Sequence, residues 1–215
     1  MDVAIVRTGV ANTASVVACL QRLGAKCRIT EDPREIEQAA AAVLPGVGSF
    51  RAASERLDEL GLREPLRDRI LAGRPTLCVC LGMQLLADAS EEASGAPGLG
   101  ILPVTVRRFP DRVKRPQLGW NLVRPAAGDW PEPGHAYFAN SYRVDDVEAM
   151  QRGGWEVAIA DHAGPFVAAI RKGRVLACQF HPELSGAWGE SLVGAWLGTA
   201  ATEPDKATGR KEARC

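Results

Sequence analysis

Two rhythms alternate along the first ninety residues. Short apolar or β-branched runs at 3–6, 26–30, 41–44 and 76–79 read as strands. Between them the spacing turns helical. Residues 12–23 carry Val16, Val17, Leu20 and Leu23 as one apolar stripe, and Gly24 stops it. Residues 33–38, 50–60 and 63–71 read as further helices, and Gly82 opens a helical pattern that runs through Leu85 and Leu86. Strands alternating with helices predict βαβ units around a parallel sheet, whose ligand crevice lies at the carboxyl ends of the strands. After Ser90 the rhythm changes. Runs at 99–109, 118–123, 136–138, 142–145, 156–159 and 166–170 read as short strands separated by Gly and Pro, which predicts an added antiparallel strand layer. Residues 175–179 return to the core and 192–197 close with a helix. The expectation is a single α/β domain over 1–198, a flavodoxin-like, mostly parallel sheet flanked by helices. A polar tail over 199–215 reads as disordered.

The chemistry concentrates where strand 76–79 meets the next helix. A strand, a sharp turn and a helix with a reactive residue in the turn make a nucleophile elbow. Cys80 falls at its tip, beside a helix N-terminus that favours negative charge on sulfur. Gly82 lets the backbone pass close by. A free cysteine is more often a small core residue. The far end of the chain shifts that balance, because the apolar run 175–180 is followed at once by His181-Pro182-Glu183. A nucleophilic thiol needs a base and the base needs an orienting group. His181 and Glu183 supply both if their strand lies beside the one ending at Val79. Gly46-Val47-Gly48, at the end of another strand, is a flexible turn on the same side of such a sheet.

Composition narrows the classes. Lys plus Arg and Asp plus Glu are each 26 in 215 residues, so nothing draws the chain to nucleic acid or membrane. No apolar run reaches the roughly 18 residues of a membrane span. The start of the chain has neither signal nor transit character, and the six cysteines are scattered rather than paired as metal ligands. A reduced, cytoplasmic chain without disulfides is expected.

Cys80-Leu-Gly-Met-Gln84 together with Phe180-His-Pro-Glu183, about a hundred residues apart, resembles the class I, triad-type glutamine amidotransferases. Segments 115–121 and 136–142 are similar to Pro-His-Met-Gly-Trp-Asn and Tyr-Phe-x-His-Ser-Tyr of the glutaminase subunits of imidazole glycerol phosphate synthases. Asn12 and Ser15 fit those subunits' first loop. The resemblance spans about residues 3 to 197. It implies hydrolysis of L-glutamine by Cys80, His181 and Glu183. The oxyanion would be held by Leu81 and by a 46–48 strand (Gly46, Val47, Gly48) that a partner or ligand can turn. Gln84, Gly48, Ser141 and Tyr142 would bind substrate. The implied partner is a (β/α)₈ cyclase, docked as a heterodimer over Asn12, Trp120 and Asn121. It would use channelled ammonia to form imidazole glycerol phosphate and aminoimidazole carboxamide ribotide. No metal or cofactor is implied. Departures from the pattern fall at Ala11, Cys78, Gln117, Leu118, Asn140 and Leu184, and Cys78 adds a second thiol beside the nucleophile. Two rival readings are the same chemistry serving another synthase and a silent regulatory scaffold.

Overall fold

The computed structural model describes residues 1–8 and 13–201. The first half alternates as the rhythm predicts: β1 (Asp2–Val6), α1 (Thr13–Arg22), β2 (Lys26–Thr30), α2 (Pro33–Gln38), β3 (Ala41–Gly46), α3 (Phe50–Glu59), α4 (Arg63–Leu71), β4 (Thr76–Cys80) and the single turn α5 (Leu81–Gln84). Then come β5 (Ala87–Ser90), β6 (Leu102–Arg108), β7 (Gln117–Pro125), β8 (Gly134–Asn140), β9 (Tyr142–Arg143), α6 (Val147–Arg152), β10 (Glu156–Asp161), β11 (Pro165–Lys172), β12 (Val175–Cys178) and α7 (Gly186–Ala201).

A nine-stranded sheet runs β2-β1-β3-β4-β12-β11-β10-β7-β8. Its first five strands are parallel and the rest antiparallel. The antiparallel strands are therefore added in two places. β11, β10, β7 and β8 extend the main sheet sideways, and β6 and β9 join β5 in a small second sheet.

Alternation along the central strands divides the core. Val3, Ile5, Val43, Leu77 and Leu176 face one side, where α1 and α7 supply Val16, Leu20, Val193 and Trp196. Val6, Leu44, Cys78, Val175 and Ala177 face the other, against Ile36, Leu57, Leu66 and Met150 from α2, α3, α4 and α6. Burying strands on both faces is why they read as continuous apolar runs.

Three expectations change. The helix after Cys80 stops at Gln84, because the carbonyls of Leu85 and Leu86 accept from the N–H groups of Leu99, Ile101 and Leu102 instead of from another helical turn. The chain then enters β5, which the pattern did not predict, as it did not predict α6. The closing helix is longer than 192–197 and takes Thr199–Ala201 from the expected tail; residues 202–215 lie outside the described set.

One buried cation ties α2, α4 and β4 together. Arg69 is 2% exposed. Its guanidinium donates to the carbonyls of Ile36, Ala39, Ala40 and Pro75 and its Nε donates to the Thr76 hydroxyl, all within 3.3 Å. Burial pulls its pKa down to about 10, still charged at neutral pH. Truncation strands these carbonyls away from water and opens a cavity. Arg69→Ala is expected to lose about 3–5 kcal/mol in urea unfolding; a loss below about 1 kcal/mol would contradict this role.

Candidate active site

The condition set by the sequence is met. β12 lies beside β4 as its parallel neighbour, with Val175 opposite Thr76 and Cys178 opposite Val79. The chain leaving β12 therefore passes next to Cys80. On its other side β4 pairs with β3, and Gly46 sits opposite Cys80. All three segments end on the same edge of the sheet.

Alternation breaks at Cys80. Its backbone takes φ 53° and ψ −110°, a region that L residues rarely occupy. Holding a non-glycine residue there costs on the order of 1–3 kcal/mol. The turn survives because its neighbours leave no alternative. A Cβ on Gly82 would lie 2.0 Å from the Leu44 carbonyl oxygen, and one on Gly46 would lie 2.8 Å from Leu81 Cβ. Cys80 thus swings out of the pleat toward the cleft. Cys78, two residues earlier, stays wholly buried in the opposite core, where burial pushes its thiol up to about 12. This corrects the expectation of a competing thiol: Cys78 is inert at neutral pH.

His181 and Glu183 meet as a pair. His181 Nδ1 lies 2.9 Å from Glu183 Oε1, and the side chains are 9% and 6% exposed. The His181 backbone is fixed from two sides. Its N–H donates to the Tyr137 carbonyl of β8. The Ser185 hydroxyl donates to its carbonyl at 2.6 Å and accepts from Tyr137 N at 3.0 Å. Burial alone would lower the imidazole pKa. Hydrogen bonds to Cys80 and Glu183, with their charges, outweigh it and raise it to about 10. α5 is a single turn and aligns few peptide dipoles. The positive charge beside the sulfur is that of His181.

A cleft of about 290 Å³ opens over this group. It is lined by Val47, Gly48, Cys80, Leu81, Gln84, Glu92, Asn140, Ser141, Tyr142 and His181 among others. Of the predicted residues, Cys80, His181, Leu81, Val47, Gly48, Gln84, Ser141 and Tyr142 line it, Gly46 packs against Leu81, and Glu183 lines a neighbouring cavity. Gly48 is at φ +98°, a conformation glycine adopts freely. Gln84 is anchored by its amide to the Tyr142 carbonyl and to Gln179. The sequence reading missed Glu92, Ser185 and Gln179. Only Gln179 left a trace, as the lone polar residue within the apolar run 175–180.

A second cavity of about 180 Å³ lies behind the first and shares Val47, Ala139 and His181 with it. Its rim includes Tyr137 and Leu184. Beside it, Trp120 crosses Tyr137 edge-on at 6.2 Å. Leu118, Trp120 and Leu122 project from one face of β7 at 67%, 59% and 42% exposure, and Leu184 is 42% exposed. Asn121 is turned away from them, and its amide donates to the Asp161 carbonyl. Asn12 lies outside the described residues. Among the described residues no cluster of His, Cys, Asp and Glu suits a metal ion. Nor is any helix there long and apolar enough to cross a membrane.

A cysteine in a strained turn with a histidine–carboxylate pair on the adjacent strand end is the arrangement that suits a nucleophilic thiol beside a base. The family description "Glutamine amidotransferase class-I" matches residues 4–193, and the chain belongs to that family. Its relatives narrow the membership to the imidazole glycerol phosphate synthase subunit HisH. The Deinococcus radiodurans protein of that name is 40% identical over 201 residues, covering 89% of this chain and 91% of that one. The Methanopyrus kandleri protein is 41% identical, covering 92% and 98%. Among solved structures, a glutamine amidotransferase superposes with TM-score 0.68 at 19% identity, covering 93% of this chain and 99% of that one. PurLQS from Thermotoga maritima gives 0.67 at 14% identity, covering 92% and 97%.

The His181 titration has a definite sign. In an unfolded chain histidine titrates near ~6.5; here it titrates at about 10. The folded state holds the extra proton between these values. That contribution to stability is complete below the unfolded value and is lost as pH rises through about 10. The stability difference between wild type and His181→Asn should therefore shrink from pH 7 to pH 10 in urea unfolding. A difference that stays constant over that range would refute the raised titration.

Proposed function

We propose that Cys80, His181 and Glu183 carry out the glutaminase reaction of this chain, an imidazole glycerol phosphate synthase subunit of histidine biosynthesis. The observation that carries the assignment is the His181–Glu183 pair at 2.9 Å, set next to a cysteine in a strained turn. An imidazolium adjoining the sulfur is what a thiolate needs. L-Glutamine enters the cleft, where the Glu92 carboxylate suits its ammonium group and Gln84, Gly48, Ser141 and Tyr142 position the rest. The sulfur attacks the side-chain amide. The N–H of Leu81 and the strand 46–48 receive the oxyanion.

The raised pKa of His181 then works for the reaction. Part of it comes from Cys80. When the sulfur forms its bond to carbon, that negative charge disappears. Burial is left opposed by Glu183 alone, and the imidazolium becomes more acidic. It gives its proton to the departing nitrogen, which leaves as ammonia. Neutral His181 next takes a proton from water, and hydroxide cleaves the γ-glutamyl thioester to glutamate.

Ammonia released into water would become ammonium and be lost to the synthase. The second cavity, which shares Val47, Ala139 and His181 with the first, is the proposed route away from the glutamine entrance toward the exposed Leu118, Trp120, Leu122 and Leu184. This apolar face suits a docked (β/α)₈ cyclase in a heterodimer. The cytoplasm, where such soluble substrates occur, is the proposed setting.

The test is glutamate release, measured for the chain alone and with its cyclase and phosphoribosyl substrate. Stimulation by the partner and its loss in Cys80→Ser are expected; activity that survives Cys80→Ser would sink the triad. Trp120→Ala should weaken cyclase binding about tenfold or more by titration calorimetry. Unchanged affinity would place the partner elsewhere.

A further inference from the structure

Gln179 is the first residue beyond β12 and is wholly buried. One step past the last β4–β12 pair, it stands opposite Cys80. Its N–H donates to the Ala168 carbonyl of β11 at 2.8 Å, which fixes the backbone. Its side chain is the middle member of a relay. Gln84 Nε2 donates to the Tyr142 carbonyl at 3.2 Å and to Gln179 Oε1 at 2.9 Å, and Gln179 Nε2 donates to Cys80 Sγ at 3.7 Å.

The polarity of this relay is forced. A backbone carbonyl only accepts, so Gln84 must turn its NH₂ toward Tyr142. The same NH₂ meets Gln179, which must present its oxygen. The NH₂ of Gln179 is then left facing the sulfur. Neither amide carries an orphaned buried atom. A buried primary amide is costly unless its groups are paired, and here one of its pairings is the sulfur itself.

We propose that Gln179 is a further catalytic residue of the glutaminase reaction: its amide holds Cys80 Sγ as a hydrogen-bond acceptor, favours the thiolate over the thiol, and links the sulfur to Gln84 in the glutamine cleft. This rests on Cys80 being the nucleophile. A thiolate accepts a hydrogen bond far better than a thiol, because the acceptor is ionised. His181 supplies the charge beside the sulfur, and Gln179 supplies a fixed neutral donor that remains after His181 has given up its proton. At that stage it also restrains the thioester sulfur for the attack by water.

The test uses the chain with its cyclase. Gln179→Met keeps the length and removes the donor. Gln179→Glu keeps the shape and the acceptor for Gln84 but puts a carboxylate against the sulfur. Both should lower kcat for glutamine hydrolysis by about ten- to a hundredfold, the range of a hydrogen bond to a charged group, with KM changed much less. Carboxamidomethylation of Cys80 by iodoacetamide, followed by peptide mass spectrometry, should slow at neutral pH. Its acidic limb should move to higher pH, and the Glu variant should be the slower of the two. Folded variants, checked by circular dichroism, that alkylate at the wild-type rate with an unmoved pH profile would overturn the proposal. In the wild type, the Gln179 side-chain NH₂ resonance should shift when Cys80 is alkylated, and an unmoved resonance would overturn it even if neither variant folds. Activity retained in Cys80→Ala would instead overturn the triad, while the alkylation rates still judge the contact.

Discussion

The site exists because β4 and β12 are hydrogen-bonded neighbours. Cys80 and His181 are a hundred positions apart in sequence, yet the parallel register brings their strand ends together with no adjustable loop between them. Parallel pairing makes both strands end on the same edge, so Cys80, His181 and the glycine strand after β3 all arrive at one crevice. Elements farther out reinforce this. β11 pairs with β12, β8 receives the His181 N–H, and Ser185 bridges His181 to Tyr137. The antiparallel half of the sheet thus bears on the site: β8 and β11 hold His181 and Gln179 in register with the parallel half.

Against this frame the strain at Cys80 is affordable only because close packing leaves the turn nowhere to relax. Gly82 lies against the Leu44 carbonyl, and Gly46 lies against Leu81. These glycines are contact requirements rather than hinges. Gly48 differs, since it lines the cleft with φ +98°, a conformation glycine adopts freely. Gly46 is required by a close contact and Gly48, two residues on, by its backbone conformation.

Much of this was legible in sequence, and the rest was not for identifiable reasons. Apolar runs buried on both faces announced β1, β3, β4 and β12, and the Cys80 and His181 motifs followed strand ends. What hydrophobic rhythm cannot show is competition for hydrogen bonds. Leu85 and Leu86 continue a helical pattern, but their carbonyls are taken by residues 99–102, so the helix ends. β5 and α6 are too short to carry a periodic signal. Cys78 and Cys80 look alike in the chain, and only the reversal of φ at Cys80 separates a reactive thiol from an inert one. Gln179 and Ser185 act through partners across the sheet, which no local pattern encodes. Asn121 sits within a resembling segment next to Trp120, but the pleat turns it toward Asp161.

The electrostatics of the site centre on His181 and its two partners, Cys80 and Glu183. Glu183 gives Oε1 to His181, while its Oε2 is buried with no partner. Leaving a carboxylate oxygen unsatisfied costs stability, which full hydrogen bonding would have recovered. Full hydrogen bonding would also have spread the negative charge over other donors. The Glu183 charge raises the pKa of both neighbours, which favours a charged His181 and a neutral Cys178. With Cys80 it raises His181 against the effect of burial. It adds to burial in raising Cys178, so the thiol nearest the base on β12 stays protonated.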